Sequence, residues 1–278
     1  PIQSLSLLWM TYKGSQASLD RIGEVLSLKK ELWGIKSLAT CLEKIEFEDI
    51  CFSYDKRIIF NNFSATFKNG RNYLVGDNGS GKSTLIRLLC GLYRPDRGTI
   101  LIDGQDLSSL SRESLRKSVS VVFSDALIFD GTISENILMG DRSASREDMM
   151  NAAKKAQLHE FVLGLPGQYE TEVGESGLNL SSGEKQKIAL ARVILRDSPI
   201  IIFDEFTRSI DIESKKSILS VIRKMDNKII IIITHDSEEI ENNCNLVGIE
   251  KVNTQSIMDD NRGNNTSSAL LTDSPAAL

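Results

Sequence analysis

The sequence predicts an α/β fold, a three-layer core with helices covering both faces of a largely parallel sheet, and three observations carry that expectation. The runs Ile200–Phe203 and Ile229–Ile233 are apolar without interruption, as expected for central strands buried on both faces. The short strand Asn72–Val75 leads straight into a glycine-rich loop and then into Leu85, Ile86, Leu88 and Leu89 of a helix. Strands alternate with helical patterns thereafter. With 278 residues, 41% hydrophobic and 26% charged, the chain supports one large domain with appendages and is neither disordered nor fibrous.

Taken in order, Leu5, Leu8 and Tyr12, then Leu19, Ile22 and Leu26, recur at helical spacings, so residues 1–32 read as mostly helix with Gly14 and Gly23 as weak points. The start on Pro1, without an initiator methionine, reads as the severed end of something longer. Residues 33–42 read as a linker, and the main domain is expected over 43–254. From Lys44, KIEFEDICFSYD and then IIFNNFSATF alternate apolar and polar residues, which gives two antiparallel strands before a turn at Asn69-Gly70. The stretch from Ser134 to Leu165 is helix-rich and reads as a subdomain inserted into the α/β core, with bounds near 125–182. Residues 255–278 are polar and lack periodicity, as in a flexible tail.

Charge and cysteine usage exclude several classes. A balance of 33 basic against 38 acidic residues, net -5, gives no general attraction to nucleic acid or an anionic bilayer, so any phosphate site must be local. No apolar run approaches the ~20 residues that a hydrocarbon span requires. The four cysteines, Cys41, Cys51, Cys90 and Cys244, have no paired spacing and only two histidines accompany them, which argues against a disulfide framework or a cysteine/histidine metal site.

Gly76-Asp77-Asn78-Gly79-Ser80-Gly81-Lys82-Ser83 matches G-x-x-x-x-G-K-[ST], and its place between a strand and a helix is the one its mechanism needs. Glycines let the backbone curl so that successive N–H groups face phosphate oxygens, with the positive end of the helix dipole behind them. Lys82 is expected to reach the β- and γ-phosphates, Ser83 to ligate Mg²⁺ and Thr84 to bond the α-phosphate. The fold class is therefore a three-layer α/β P-loop NTPase core with an antiparallel β subdomain, an inserted helical subdomain and an N-terminal helix. A metal-bound triphosphate needs a second anchor. Asp204 and Glu205 follow a buried strand at the carboxyl edge of the sheet, where α/β folds bind ligands. Asp204 suits the Mg²⁺ shell, and Glu205 is placed to orient or deprotonate an attacking water. His235 leaves the same edge, where it would hydrogen-bond the γ-phosphate or fix the water, whereas His159 in the helical stretch reads as structural.

Two further motifs admit two readings each. Ser181 and Glu184 form an S-x-x-E capping box, yet a helix N-terminus with a serine hydroxyl and Gly183 nearby is also an anion site, and which molecule's phosphate it would serve stays open. Tyr54 is either an ordinary strand residue or a platform for a base, a contact worth ~1–3 kcal/mol in proteins that stack bases.

The ordered set FSYD, GDNGSGKST, LSSGEKQKIALAR, IIIFDE, SID and ITHD resembles the ATP-binding domain of ABC transporters over roughly residues 43–254. The resemblance implies that Tyr54 stacks on adenine, that the P-loop holds ATP and Mg²⁺, and that Asp204 and Glu205 complete the Walker B element. It also implies that Asp211 belongs to the D-loop and that His235 is the switch histidine. In that family two domains pack head to tail, so Ser181, Ser182, Gly183 and Glu184, at the LSGGQ signature, would face the nucleotide held by a second copy, identical or different. TEVGESG at Thr171–Gly177 looks like the exporter TEVGERG loop, and YKGSQASLDRIGEVL is similar to the end of the last membrane helix of exporters with fused parts. The implied function is an ATPase on the cytoplasmic face of a membrane, driving export through a membrane domain absent from this chain, with no nucleic-acid partner. Three departures stand out: Ser124 at the Q-loop glutamine, Ser182 at a signature glycine and Glu184 at the signature glutamine. They leave room for an ATP-gated module with degenerate hydrolysis, while a soluble ABC ATPase acting on nucleic acid or ribosomes is the other alternative.

Overall fold

The computed structural model describes residues 2–27, 33–55, 57–174, 180–208, 210–235, 240 and 244–251. The expected tail at 255–278, Asp236 of ITHD, Ser209 of SID and most of Gly174–Gly177 lie outside the described residues. Contacts divide the chain into two units, 1–33 and 34–278. The first contains helix α1 (Ile2–Ser27), on which Trp9, Tyr12, Leu19, Ile22 and Leu26 are exposed.

The second unit is built around a five-stranded sheet in the order β11 (Asn245–Ile249), β3 (Gly70–Gly76), β10 (Ile229–Ile233), β9 (Ile200–Asp204) and β6 (Val119–Phe123), and every pairing in it is parallel. Both runs singled out as apolar occupy its middle: all five isoleucines of β10 are buried, and Ile231 lies opposite Asn72 on one side and Ile202 on the other. Asn72 breaks the apolar pattern of β3 and is fully buried. Its amide donates to the carbonyls of Lys68 (2.7 Å) and Ile230 (3.1 Å), and its Oδ1 accepts from the Lys68 N–H and from Asn245 Nδ2, both at 2.8 Å, so it stitches β3 to both neighbours without an orphaned polar group.

Beside it, β1 (Lys44–Tyr54) and β2 (Arg57–Lys68) form the expected antiparallel pair, and β4 (Arg97–Ile102) and β5 (Gln105–Asp106) extend it in the order β2-β1-β4-β5. Of residues 33–42, read as a linker, 34–42 run along this domain: Lys36 exchanges backbone hydrogen bonds with Ser109 and Ser111, and the Leu38 N–H donates to Ser114 Oγ at 2.8 Å. Helices α2 (Lys82–Leu89) and α3 (Arg112–Ser118) complete this half.

The helix-rich stretch forms α4 (Ile133–Leu138), α5 (Arg146–Lys155) and α6 (His159–Leu163), with the short antiparallel pair β7 (Gly131–Thr132) and β8 (Glu172–Val173) at its base. Capping boxes open α4 (Thr132 with Glu135) and α5 (Ser145 with Asp148). Ile133, Ile137, Met149 and Ala153 share one apolar core with Ile188 and Leu190 of α7 (Ser182–Arg196), which carries the subdomain on the sheet. His159 Nδ1 lies 2.8 Å from the buried Tyr169 hydroxyl inside this subdomain. Helix α8 (Ile212–Arg223) follows β9.

Candidate nucleotide site

Parallel register brings the candidate residues to one edge. Ile233, the last residue of β10, pairs with both Leu74 and Asp204, so the loops after β3, β9 and β10 leave the sheet side by side. The first of these is the glycine-rich loop. Gly81 closes it at φ +114°, a left-handed conformation open to glycine, and a side chain there would meet Ile59 and Phe60 at 2.9 Å. Gly81 is also the N-cap of α2 and supplies no side-chain hydrogen bond, so the first N–H groups of the helix carry no side-chain cap, the arrangement that suits an anion.

Lys82 is buried, and its ammonium donates to the carbonyls of Gly76 (2.6 Å) and Asp77 (3.0 Å). Burial pushes its pKa below the ordinary lysine value, against the opposing pull of Glu205, Asp204 and Asp77. Ser80 is buried inside the loop, and among the described residues its hydroxyl has no hydrogen-bond partner. Asn78, Gly79, Lys82, Ser83, Thr84 and Asp204 line a cavity of about 230 Å³. Glu205, Tyr54 and Arg57 share that lining.

Asp204 ends β9 half-buried. Burial, and then the neighbouring Glu205 charge, push its carboxyl above the usual carboxylate range, with Lys82 and Arg87 pulling the other way. A carboxylate so placed favours a nearby cation. Among the described residues no group of three or more His, Cys, Asp or Glu could hold a metal ion. A cation beside Asp204 and the Ser83 hydroxyl would therefore share its shell with phosphate oxygens, the way Mg²⁺ is usually held. The donor set fits Mg²⁺ on those terms.

Glu205 adopts φ +47°, a left-handed backbone that costs a non-glycine residue on the order of 1 kcal/mol. Its N–H is tied to the Ile233 carbonyl at 3.1 Å, which locks the turn to β10. One carboxylate oxygen lies 3.1 Å from His235 Nε2 and the other 2.6 Å from Arg208 Nη1. Sequence reading anticipated Glu205 and His235 at this edge and missed Arg208, which follows Glu205 by three positions, a spacing that a tight turn brings together. It also missed Arg57, the register partner of Tyr54 across the β1–β2 hairpin.

The Tyr54 ring packs edge-on against Phe52 (centroids 4.9 Å apart) and Tyr93 (5.2 Å), and its hydroxyl accepts from Arg87 at 3.2 Å, so it is held at the cavity rim. The remaining expected residues lie outside this cavity. Ser181 caps α7: its Oγ accepts the Glu184 N–H at 3.3 Å, and Glu184 Oε2 accepts the Ser181 N–H at 2.7 Å. The Glu184 charge thus sits against the positive end of its own helix. A side chain on Gly183 would come within 2.6 Å of Ser214 Oγ and 3.6 Å of Asp211 Oδ2, so this loop packs on the N-terminus of α8, where Asp211 accepts the Ser214 N–H at 2.8 Å. Ser182 opens α7 between them. Ser124 is half-buried after β6, and its backbone carbonyl, like that of Phe123, accepts from the buried Gln186 Nε2 of α7. Gln186 is a third residue that sequence reading passed over.

Residues 60–208 match the ABC transporter family model. The chain belongs to the ABC transporter family. It is 36% identical over 256 residues to the alpha-hemolysin translocation ATP-binding protein HlyB of Proteus vulgaris, covering 90% of this chain and 36% of that one. It is 43% identical over 183 residues to the mitochondrial iron-sulfur clusters transporter ABCB7 of Danio rerio, covering 65% of this chain and 25% of the relative. The structure of a bacterial Atm1-family ABC exporter with ATP bound superimposes with a TM-score of 0.81 at 31% identity, over 95% of this chain and 50% of that one. The chain thus spans half or less of the length of these relatives, and what it matches is the ATP-binding domain of ABC exporters. No helix among the described residues is long and apolar enough to cross a membrane.

Proposed function

We propose that this ABC domain binds Mg·ATP against Lys82, pairs head to tail with a second ATP-binding domain, and hydrolyses the nucleotide to power export through a membrane domain. The observation that carries this is the meeting at one sheet edge of the phosphate loop, the Asp204–Glu205 pair and His235. Ser83 and Asp204 would hold Mg²⁺ together with the phosphates, and the ion would supply charge neutralisation at the β- and γ-oxygens. Lys82 exchanges its contacts with the Gly76 and Asp77 carbonyls for phosphate oxygens. Glu205 orients a water toward the γ-phosphorus and takes its proton as the bond to the bridging oxygen breaks, while His235 holds the Glu205 carboxylate in place.

Pairing is supported by size and by placement. A cavity of about 230 Å³ falls below the ~300–1,000 Å³ of a self-sufficient small-molecule pocket, so one chain supplies one wall. Ser181, Gly183 and Asp211 form a separate patch, as they must if they serve the nucleotide of another copy. An apolar groove of about 600 Å³ edged by the exposed Phe123, Leu127 and Phe129 supports docking against the membrane part, beside which the domain would work on the cytoplasmic face.

Calorimetric titration of Mg·ATP into wild type and Lys82→Ala tests the reading: at least a tenfold loss of affinity is expected in the variant. Equal affinities would remove the site from the phosphate loop.

A further inference from the structure

The chain turns sharply after β9. The Arg208 N–H donates to the Glu205 carbonyl at 3.1 Å, and this i,i+3 turn sets the arginine side chain directly over Glu205. Arg208 is largely in solvent (72% exposed) while Glu205 is not (21%), so the guanidinium reaches into the site from outside. Its Nη1 lies 2.6 Å from Glu205 Oε2, and His235 Nε2 takes the other oxygen. Both carboxylate oxygens are thus engaged by protein donors, and a charge-assisted hydrogen bond is among the strongest a carboxylate accepts.

We propose that Arg208 restrains Glu205: it is a positioning residue that holds the carboxylate in a resting arrangement, and hydrolysis requires Oε2 to be released toward the water. The inference rests on the ATPase reading above and adds a regulator to it. The physical sense of the contact is twofold. The guanidinium occupies the oxygen that would face water, and its charge offsets the carboxylate's attraction for a water proton. Release has a natural trigger, since Glu205 lines the nucleotide cavity and a triphosphate bound there is a polyanion that competes for the guanidinium. The pair is open to solvent on one side, so the restraint is modest and screened by salt.

The experiment is single-turnover ATP cleavage at saturating Mg·ATP, with steady-state kcat and KM, for wild type, Arg208→Ser and Arg208→Lys. The proposal expects Arg208→Ser to cleave about two- to fivefold faster with KM unchanged, the range an ion pair exposed on one side supports. Arg208→Lys keeps the charge and stays near wild type. Raising KCl from 50 to 500 mM should narrow the gap between wild type and Arg208→Ser, a response that a merely structural role would not give. An unchanged or slower rate in Arg208→Ser, with wild type active, would overturn the restraint and leave the ATPase reading standing. Wild type inactive and Arg208→Ser active would support the restraint at its extreme. Both inactive would overturn the restraint together with the ATPase reading.

Discussion

Arg192→Met is the perturbation whose magnitude follows most directly from the structure. Arg192 leaves α7 and places Nε on the Asn136 carbonyl at 2.7 Å, Nη2 on Asn136 Oδ1 at 2.6 Å and Nη1 on the Leu127 carbonyl at 2.5 Å, with its guanidinium 5.8 Å from the centre of the Phe129 ring. It therefore ties α7 to α4 and to the segment after β6. Burial pushes its pKa down to about 10, so it remains charged at neutral pH while carrying a desolvation cost of at most about 3 kcal/mol. Methionine removes that cost and also removes the two bonds to the buried Asn136, each worth about 1.5–3 kcal/mol because the donor is charged. The bond to Leu127 is exposed, and water replaces it. The balance is a loss of about 2 kcal/mol, or ~4–8 °C in melting temperature for a domain of this size. Urea unfolding of wild type, Arg192→Met and Arg192→Lys measures it. Lysine keeps the charge without the fork and should recover no more than about half. A loss under about 0.5 kcal/mol in Arg192→Met, or full stability in Arg192→Lys, would mean that the Arg192 fork does not hold α7 to α4.

Two further outcomes are expected. Gly183→Ala puts a methyl group 2.6 Å from Ser214 Oγ and 3.0 Å from Ser214 Cβ, so it should destabilise by about 1 kcal/mol, and Ser214→Gly should rescue it with a coupling of at least ~0.5 kcal/mol in a double-mutant cycle; additive effects would mean the two do not touch. Burial pushes the Cys90 thiol from 9.0 up to about 11, so iodoacetamide at pH 8 should label the exposed Cys41 about a hundredfold faster, and equal rates would contradict the burial. The sign of the linked stability follows from the same shift. The unfolded thiol ionises first, so the contribution is whole below about pH 9 and is lost as pH rises to about 11, and Cys90→Ala should flatten that part of the stability profile.

Much of this was legible in the sequence, for reasons that differ from element to element. Continuous apolar runs can be covered only in the centre of a parallel sheet, and β9 and β10 lie there. The order strand, glycine loop, helix marks the phosphate loop in the sequence alone. Strands β4, β6 and β11 went unread: the first is short and flanked by glycine and proline, and the other two are sheet edges with mixed burial. Asn72 reads in the sequence only as the first residue of a short strand, and only the register shows that its amide binds three strands together. At the site, Arg208 and Gln186 were invisible because their roles depend on a tight turn and on a contact between α7 and the segment after β6. The S-x-x-E reading at Ser181 and Glu184 describes a local hydrogen-bond exchange, so sequence spacing sufficed for it.

The most direct test of the central claim, that Glu205 carries ATP cleavage at the Lys82 loop, is the release of inorganic phosphate from γ-labelled ATP in a single turnover, with Mg²⁺ present, by wild type and by Glu205→Gln. The variant should bind ATP as wild type does, accumulate nucleotide-bound dimer, and release phosphate at least about a hundredfold more slowly. Equal rates of release from the two proteins would contradict it.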